Sequence, residues 1–511
     1  MSLLKYQLYL NMDYQDEVLN DDREGEMIEL YNESIYAGLI LKKDYILLQR
    51  IGYGRNATVW LSYKISKKEF VAVKVQDHDV FQGGQKEIFI LEKVRAYINK
   101  HQYTNTHCLK MLDNFTYQET VYTCEEAINA KYACSVFNLY AGNIYSILNR
   151  GKYKYGLPIP IVKRITKQLL TALIILHNEL KIIHTDVKPD NILFVGLPEY
   201  QSKIIHSFIN GDFQEKYDNL CKVFIGKKFD EELKVLALDA ITSLDEDIKG
   251  LEDFMPEEDS DREDEYDVCE NPDDDQEQLN EELIDTEVEK FNERDQSVDD
   301  IVEHLYRTEM HNLDEECKYC FNEVLNNREN STDKRDIIND NYILNCEIVL
   351  GDYGNSYLFN RRTINEIQDR RYRAPEIVLD LDYGYSCDIW SVSCVVFELL
   401  TGFSLFEPDD HPLDRDIHHL YLMEKMLGPM PKAMKKKSKR SRFLFDPKRA
   451  YHIKNIETFS RVSIKERLIK QFLFSEQEAS EISAFLLCGL VYNPKERITA
   501  KEMLNHSWLY N

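Results

Sequence analysis

A little over a third of the way along the chain, Ile182-Ile183 leads into His184-Thr185-Asp186-Val187-Lys188-Pro189-Asp190-Asn191, and Ile192-Leu193-Phe194 follows. The apolar runs on either side read as two buried strands, which forces the polar residues between them into a tight loop. That loop sets an acid, a lysine and an amide side by side. Taken singly, His-x-Asp and Pro-Asp-Asn are ordinary turn residues. The full spacing Asp-x-Lys-Pro-x-Asn between two apolar runs is far more restrictive. These groups suit phosphoryl transfer, in which a protein mainly positions reactants and stabilises charge. Asp186 can accept the proton of an attacking hydroxyl, Lys188 can neutralise the moving phosphate, and Asn191 can hold a magnesium ion.

Such a loop needs partners that grip a nucleotide, and the N-terminal half offers them. From Tyr45 the pattern alternates: Tyr45-Ile46-Leu47-Leu48, then Ile51-Gly52-Tyr53-Gly54 through Val59-Trp60, then Phe70-Val71-Ala72-Val73-Lys74-Val75. This predicts three antiparallel strands, with Gly52 and Gly54 in a turn able to cover phosphates. Lys74 on a half-buried strand is costly without an anionic partner. Glu87, at the start of an apolar helical stripe through Ile88, Leu91 and Val94, is the candidate, with Glu92 as an alternative better explained as a solvated face. Ile51, Val59 and Ala72 are candidate nucleotide contacts on the strands. Asn138 and Tyr140, in the short stretch Asn138-Leu139-Tyr140-Ala141-Gly142, are candidate hinge residues lining a base pocket.

Further along, Val162, Ile165, Leu169, Leu173, Leu176 and Leu180 recur at helical spacing and deliver the chain to the loop. Cys346 to Leu350 reads as a buried strand ending at Asp352-Tyr353-Gly354, where Asp352 is a candidate metal ligand beside Asn191. Ala374-Pro375-Glu376 lies beyond, and a Glu376–Arg497 ion pair could brace the helical part, with two unpaired surface charges as the alternative.

Charge separates one stretch from the rest. Of the chain's net −27, residues 195–345 carry 45 acidic and 15 basic side chains. The centre of that stretch, 245–300, has too few apolar residues to offset chain entropy and self-repulsion, and reads as disordered. Its flanks, about 204–238 and 301–344, could hold short helices. The 11 cysteines suit a compartment where thiols stay reduced. Cys317-x-x-Cys320 has metal-ligand spacing but no second pair, and free thiols explain it better. No run approaches a membrane span. The basic run Lys432 to Arg442 reads as a solvated loop, with a nuclear-import signal, a nucleic-acid patch or a contact with the acidic stretch as alternatives.

Together these motifs resemble the eukaryotic protein kinase family over 44–195 and 346–511. Within it the chain looks most like the SR-protein kinases, through Ile-Ile-His-Thr-Asp with Thr185, Asp-x-Gly-Asn ending at Asn355, Ile-Gln-x-Arg-x-Tyr-Arg through Arg373, and Leu-Phe-Glu-Pro through Pro408. The resemblance implies an α+β, bilobal protein kinase fold: an N-lobe antiparallel sheet with one main helix, and a mostly helical C-lobe carrying a long acidic, largely disordered insert. The expected layout is an N-terminal extension over 1–43, an N-lobe and hinge over 44–140, C-lobe parts over 141–194 and 346–511, and the insert over 195–345.

It also implies ATP and Mg2+ as cofactors, with Asp186 and Lys188 catalytic and Asn191 and Asp352 on the metal. The substrates it implies are serine residues in basic or arginine/serine-rich proteins. A monomer without membrane or nucleic-acid partners is expected, in the cytoplasm or nucleus. Most family members place arginine at position 185 to receive an activation-segment phosphate, and Thr185 implies an enzyme active without one. Departures are Ala57 for the third glycine, Tyr353 for the usual Phe or Leu, and a generic Ala-Pro-Glu. Two acidic docking positions of the family fall at His418 and Lys425, with Glu407, Asp409, Asp410, Asp414 and Asp416 close by. The alternative reading is a pseudokinase or scaffold that binds basic partners through its acidic insert.

Overall fold

A computed structural model describes residues 35–244, 343 and 345–510, apart from short stretches at 55, 102–104, 123–126, 149–152, 226, 362–366, 410–413 and 457–460. The expected disorder of 245–300, the flank 301–342, and Cys317 and Cys320 therefore lie outside the described residues.

The N-terminal lobe is a six-stranded antiparallel sheet in the order β1-β2-β3-β4-β6-β5. Its strands are β1 (Ile40–Leu41), β2 (Tyr45–Gly54), β3 (Ala57–Lys64), β4 (Glu69–Gln76), β5 (Asp113–Tyr122) and β6 (Ala127–Phe137). Alternation of side chains across the pleat gives each face its own core. Leu41, Tyr45, Leu47, Trp60, Val71 and Val73 pack on one side, while Ile46, Leu48, Leu61 and Tyr63 pack on the other. Helix α1 (Phe81–His101) buries Glu87, Ile88, Leu91 and Val94, the stripe read from sequence.

Helix α2 (Ile159–Ile174) buries Val162, Ile165, Leu169 and Leu173, and a π-helical turn (Ile175–Leu180) completes it. The chain then passes through β8 (Ile182–Ile183) to β9 (Ile192–Val195). A small sheet sets β9 between β7 (Tyr140–Asn143) and β10 (Ile348–Leu350), and β8 pairs with β11 (Tyr357–Leu358). The loop between β8 and β9 is thus pinned at both ends by strands from opposite sides of the insert.

The acidic stretch begins with folded structure. Helices α3 (Glu199–Asn210), α4 (Phe213–Val223) and α5 (Asp230–Thr242) run from the end of β9 onto the N-terminal sheet. There Ile204, Phe208, Phe213, Leu233, Leu236, Ala237 and Ala240 form one core with Ile46, Leu48, Leu61 and Tyr63. Tyr63 donates its hydroxyl to Gln214 at 2.6 Å, and its ring lies 5.0 Å from Phe208. Apolar burial holds these helices; the outlying Lys43–Asp230 and Lys68–Asp218 pairs are exposed and contribute little. Phe208→Ala is accordingly expected to destabilise the protein by about 3–5 kcal/mol. Val223→Ala, at a residue 76% exposed, should stay within about 0.5 kcal/mol. Urea unfolding of both variants checks this.

The C-terminal lobe is organised on α6 (Ser386–Thr401), buried along almost its whole length and closed by Gly402 at φ +79°. A side chain at Gly402 would meet the Lys154 carbonyl oxygen, so both the positive φ and the close approach require glycine. The run 432–442 is not a solvated loop. It forms helix α7 (Lys432–Lys437) and a following turn, with Lys435 buried against Glu424 at 2.7 Å, Lys439 on Asp380 at 2.9 Å and Arg440 on Asp416. Apolar neighbours such as Met434 and Leu444 explain why a run with this charge packs.

Candidate active site

The β8–β9 loop is held from beneath by a buried carboxylate. Asp388, in the first turn of α6, accepts the backbone N–H groups of His184 and Thr185 at 2.8 Å each, and the Nε2–H of His177 at 2.8 Å. Three donors compensate the burial of its charge. His184 donates Nε2–H to the Gly351 carbonyl at 2.9 Å and accepts the Asp186 N–H at Nδ1, 3.3 Å away, which fixes its tautomer. Thr185 takes a left-handed φ of +68°, an unfavourable conformation for a β-branched residue. It is held there by Asp388 and by its hydroxyl, which donates to the Asn355 carbonyl at 2.7 Å. The loop is thereby tied to the segment that follows Asp352.

Above this base the predicted polar residues converge. Asn191 donates its Nδ2 to the Asp186 carbonyl at 2.8 Å and to Asp186 Oδ2 at 3.0 Å. Lys188 Nζ stands 3.8 Å from Asp186 Oδ1 and 3.5 Å from Asp369 Oδ2. Burial raises the affinity of Asp186 for its proton, opposed by Lys188. Burial works against the charge on Lys188, yet Asp186 and Asp369 outweigh it and hold the ammonium protonated.

Lys74, on β4, bonds both oxygens of Glu87 at 3.0 Å and Asp352 Oδ1 at 3.3 Å. Lys74 and Asp352 are 278 positions apart in sequence, a span that includes the whole acidic stretch, so this contact closes the cleft between lobes. Lys74 pulls the Asp352 carboxyl down to about 2, leaving it ionised at any physiological pH. Glu92 instead pairs with Arg95 at 2.9 Å, which resolves the alternative in favour of Glu87.

The apolar candidates all belong to or border the main core. Ala72 is buried in the main core, with Ile51, Val59 and Tyr140 packed against it. Gly52 faces Val59, and Gly54 has open space where a side chain would be. Asn138 is exposed and lines a separate polar cavity of about 380 Å³ with Lys64, Lys67 and Lys110.

Asp388 and Asp369 were not singled out as site residues from the sequence. A carboxylate inside an otherwise apolar helix was the available sign for Asp388; nothing marked Asp369. Around the docking positions, Asp416 is engaged by Arg370 and Arg440, Glu407 by Arg371 at 2.7 Å, and Asp414 caps the helix Arg415–Leu427. Lys425 is buried, and Asp410 lies outside the described residues.

The family model described as Protein kinase domain matches residues 45–206 and 279–509. A protein named as a serine/threonine-protein kinase, L205 of Acanthamoeba polyphaga mimivirus, is 46% identical, covering 96% of this chain and 92% of the relative. Protein kinase dsk1 of Schizosaccharomyces pombe is 28% identical over 91% of this chain and 80% of its own. SRSF protein kinase 3 of Mus musculus is 25% identical over 96% and 91%. The bilobal α+β fold, the convergent loop and these matches lead to one statement: the chain belongs to the protein kinase family, a serine/threonine-type enzyme with relatives among the SR-protein kinases.

Proposed function

We propose that this enzyme transfers the terminal phosphate of ATP to serine or threonine hydroxyls in basic, arginine/serine-rich proteins. The observation that carries the reading is the meeting of Asp186, Lys188 and Asn191 with Lys74, Glu87 and Asp352 in one cleft. ATP with Mg2+ supplies the phosphoryl group and spreads its charge when bound. The donor set fits: Asp352 is ionised, and Asn191 spends only its Nδ2 on Asp186, which leaves its amide oxygen for a cation. Magnesium usually takes one or two protein ligands plus phosphate oxygens.

Each residue then has a defined task. Lys74, fixed by Glu87, would clamp phosphates beneath the Gly52–Gly54 turn. Ile51, Val59, Ala72 and Tyr140 would enclose the base, with Asn138 at the hinge. Asp186 would orient the substrate hydroxyl and take its proton, and Lys188 would neutralise the transferring group. The described residues contain no helix long and apolar enough to cross a membrane. We place the enzyme in the cytoplasm or nucleus, as a monomer.

The substrate class is supported by the SR-type relatives. Radiolabelled ATP with an arginine-serine repeat peptide, against the same peptide carrying glutamate for arginine, tests it. Preferential labelling of the basic peptide is expected; equal labelling, or preference for the acidic one, overturns the substrate class.

A further inference from the structure

Asp369 stands across Lys188 from the loop acid, and no sequence motif assigned it a task. Its two oxygens do different work. Oδ1 accepts the Arg371 N–H at 3.2 Å, capping the 3-10 turn Arg370–Tyr372. Oδ2 faces Lys188 Nζ at 3.5 Å, closer than Asp186 Oδ1 at 3.8 Å. The backbone beneath is fixed as well. Gln368 donates Nε2 to Ser391 Oγ at 2.7 Å and to the Cys387 carbonyl at 3.0 Å, and its Oε1 accepts the Ala374 N–H at 3.0 Å. Ser391 Oγ in turn donates to the Tyr372 carbonyl at 2.8 Å. Asp369 is therefore an anion on a rigid mount, bolted to α6.

What it protects is one oxygen atom. Asp186 Oδ2 already accepts Asn191 Nδ2 at 3.0 Å and faces Asn355 Nδ2 at 3.5 Å, so Oδ1 is the atom able to receive a hydroxyl proton. With Asp369 absent, Asp186 would be the carboxylate nearest the Lys188 ammonium, and a direct ion pair would occupy that oxygen. We propose that Asp369 is a positioning residue, holding Lys188 between two carboxylates so that the ammonium faces the transferring phosphate and Asp186 Oδ1 stays open to the acceptor hydroxyl. This rests on the kinase reading above.

The test is a double-mutant cycle on the full chain, read as kcat and KM for both peptide and ATP. Asp369→Asn keeps a capping oxygen, since asparagine caps as well as aspartate, but removes the charge. It is expected to lower kcat about tenfold with both KM values nearly unchanged, the pattern of an interaction that matters only in the transition state. In a Lys188→Met background the same change should alter kcat by less than about twofold, because a residue acting through Lys188 has nothing left to act on. Asp369→Asn with wild-type kcat, or a full tenfold further loss in the Lys188→Met background, overturns the proposal. Matched thermal melts of Asp369→Asn and wild type exclude a folding defect. A wild-type enzyme without phosphate transfer would strike the kinase reading itself; an active wild type with additive losses would strike only the role of Asp369.

Discussion

Asp186→Ala is expected to reduce kcat for phosphate transfer about 1,000-fold while leaving the melting temperature and nucleotide affinity close to wild type. General-base and orientation effects at such a position are worth roughly 10²–10⁴ in rate, and about 1.4 kcal/mol of barrier corresponds to each factor of ten. The residue is buried with its side chain bonded by Asn191, yet the loop does not depend on it. His184 and Thr185 are anchored through their backbones to Asp388, and the flanking strands pair independently with β10 and β11. Steady-state kinetics with a radiolabelled nucleotide checks the rate. A loss under tenfold would remove Asp186 from the chemistry, whereas a collapse in melting temperature would assign it to the fold.

The second large effect concerns stability. Arg497→Met should cost about 3–5 kcal/mol, because it leaves the Glu376 carboxylate buried without its cation. Arg497 holds both Glu376 oxygens at 2.8 Å, donates to the Ser386 carbonyl at 2.7 Å and to the Val491 carbonyl at 3.0 Å, and lies 5.2 Å from the Trp390 ring. Both side chains are 0% exposed. With roughly 2–4 °C per kcal/mol for a lobe of this size, the melting temperature should fall by about 10 °C. Pairing the change with Glu376→Gln should recover part of the loss, since it removes the stranded charge. A cost under about 1 kcal/mol would mean that the pair merely coexists with a lobe held by its apolar core.

Much of this was legible in the chain because the chemistry carries its own spacing. Lys74 on an apolar strand demanded a carboxylate, and the first one on the following amphipathic helix is the one it meets. The sequence allows Glu376 and Arg497, far apart in the chain, to be either an ion pair or two surface charges, and their complete burial makes them a pair. Local patterns failed where the partner surface was decided by tertiary structure. The apolar residues of 204–238 marked that flank for short helices, but the strand face that Ile204, Phe208, Leu233, Leu236 and Ala237 cover lies more than 130 residues earlier in the sequence. The Lys432–Arg442 run looked solvated because its partners Glu424, Asp380 and Asp416 come from other segments. Asp369 escaped notice for the same reason: its significance is a distance to Lys188, 181 positions away.

On the proposed mechanism, the residues assigned to catalysis stand assembled without a phosphate on the segment that follows Asp352. Thr185, where a phosphate-receiving arginine is usual, is instead bonded to Asn355 and Asp388, and the segment around Gln368 is braced by its own side chains on α6. Turnover of the purified protein before and after exhaustive phosphatase treatment, with removal of phosphate verified by mass, tests this most directly. Equal kcat in the two states is the predicted result. A large loss of activity on dephosphorylation, restored by rephosphorylation, would contradict it.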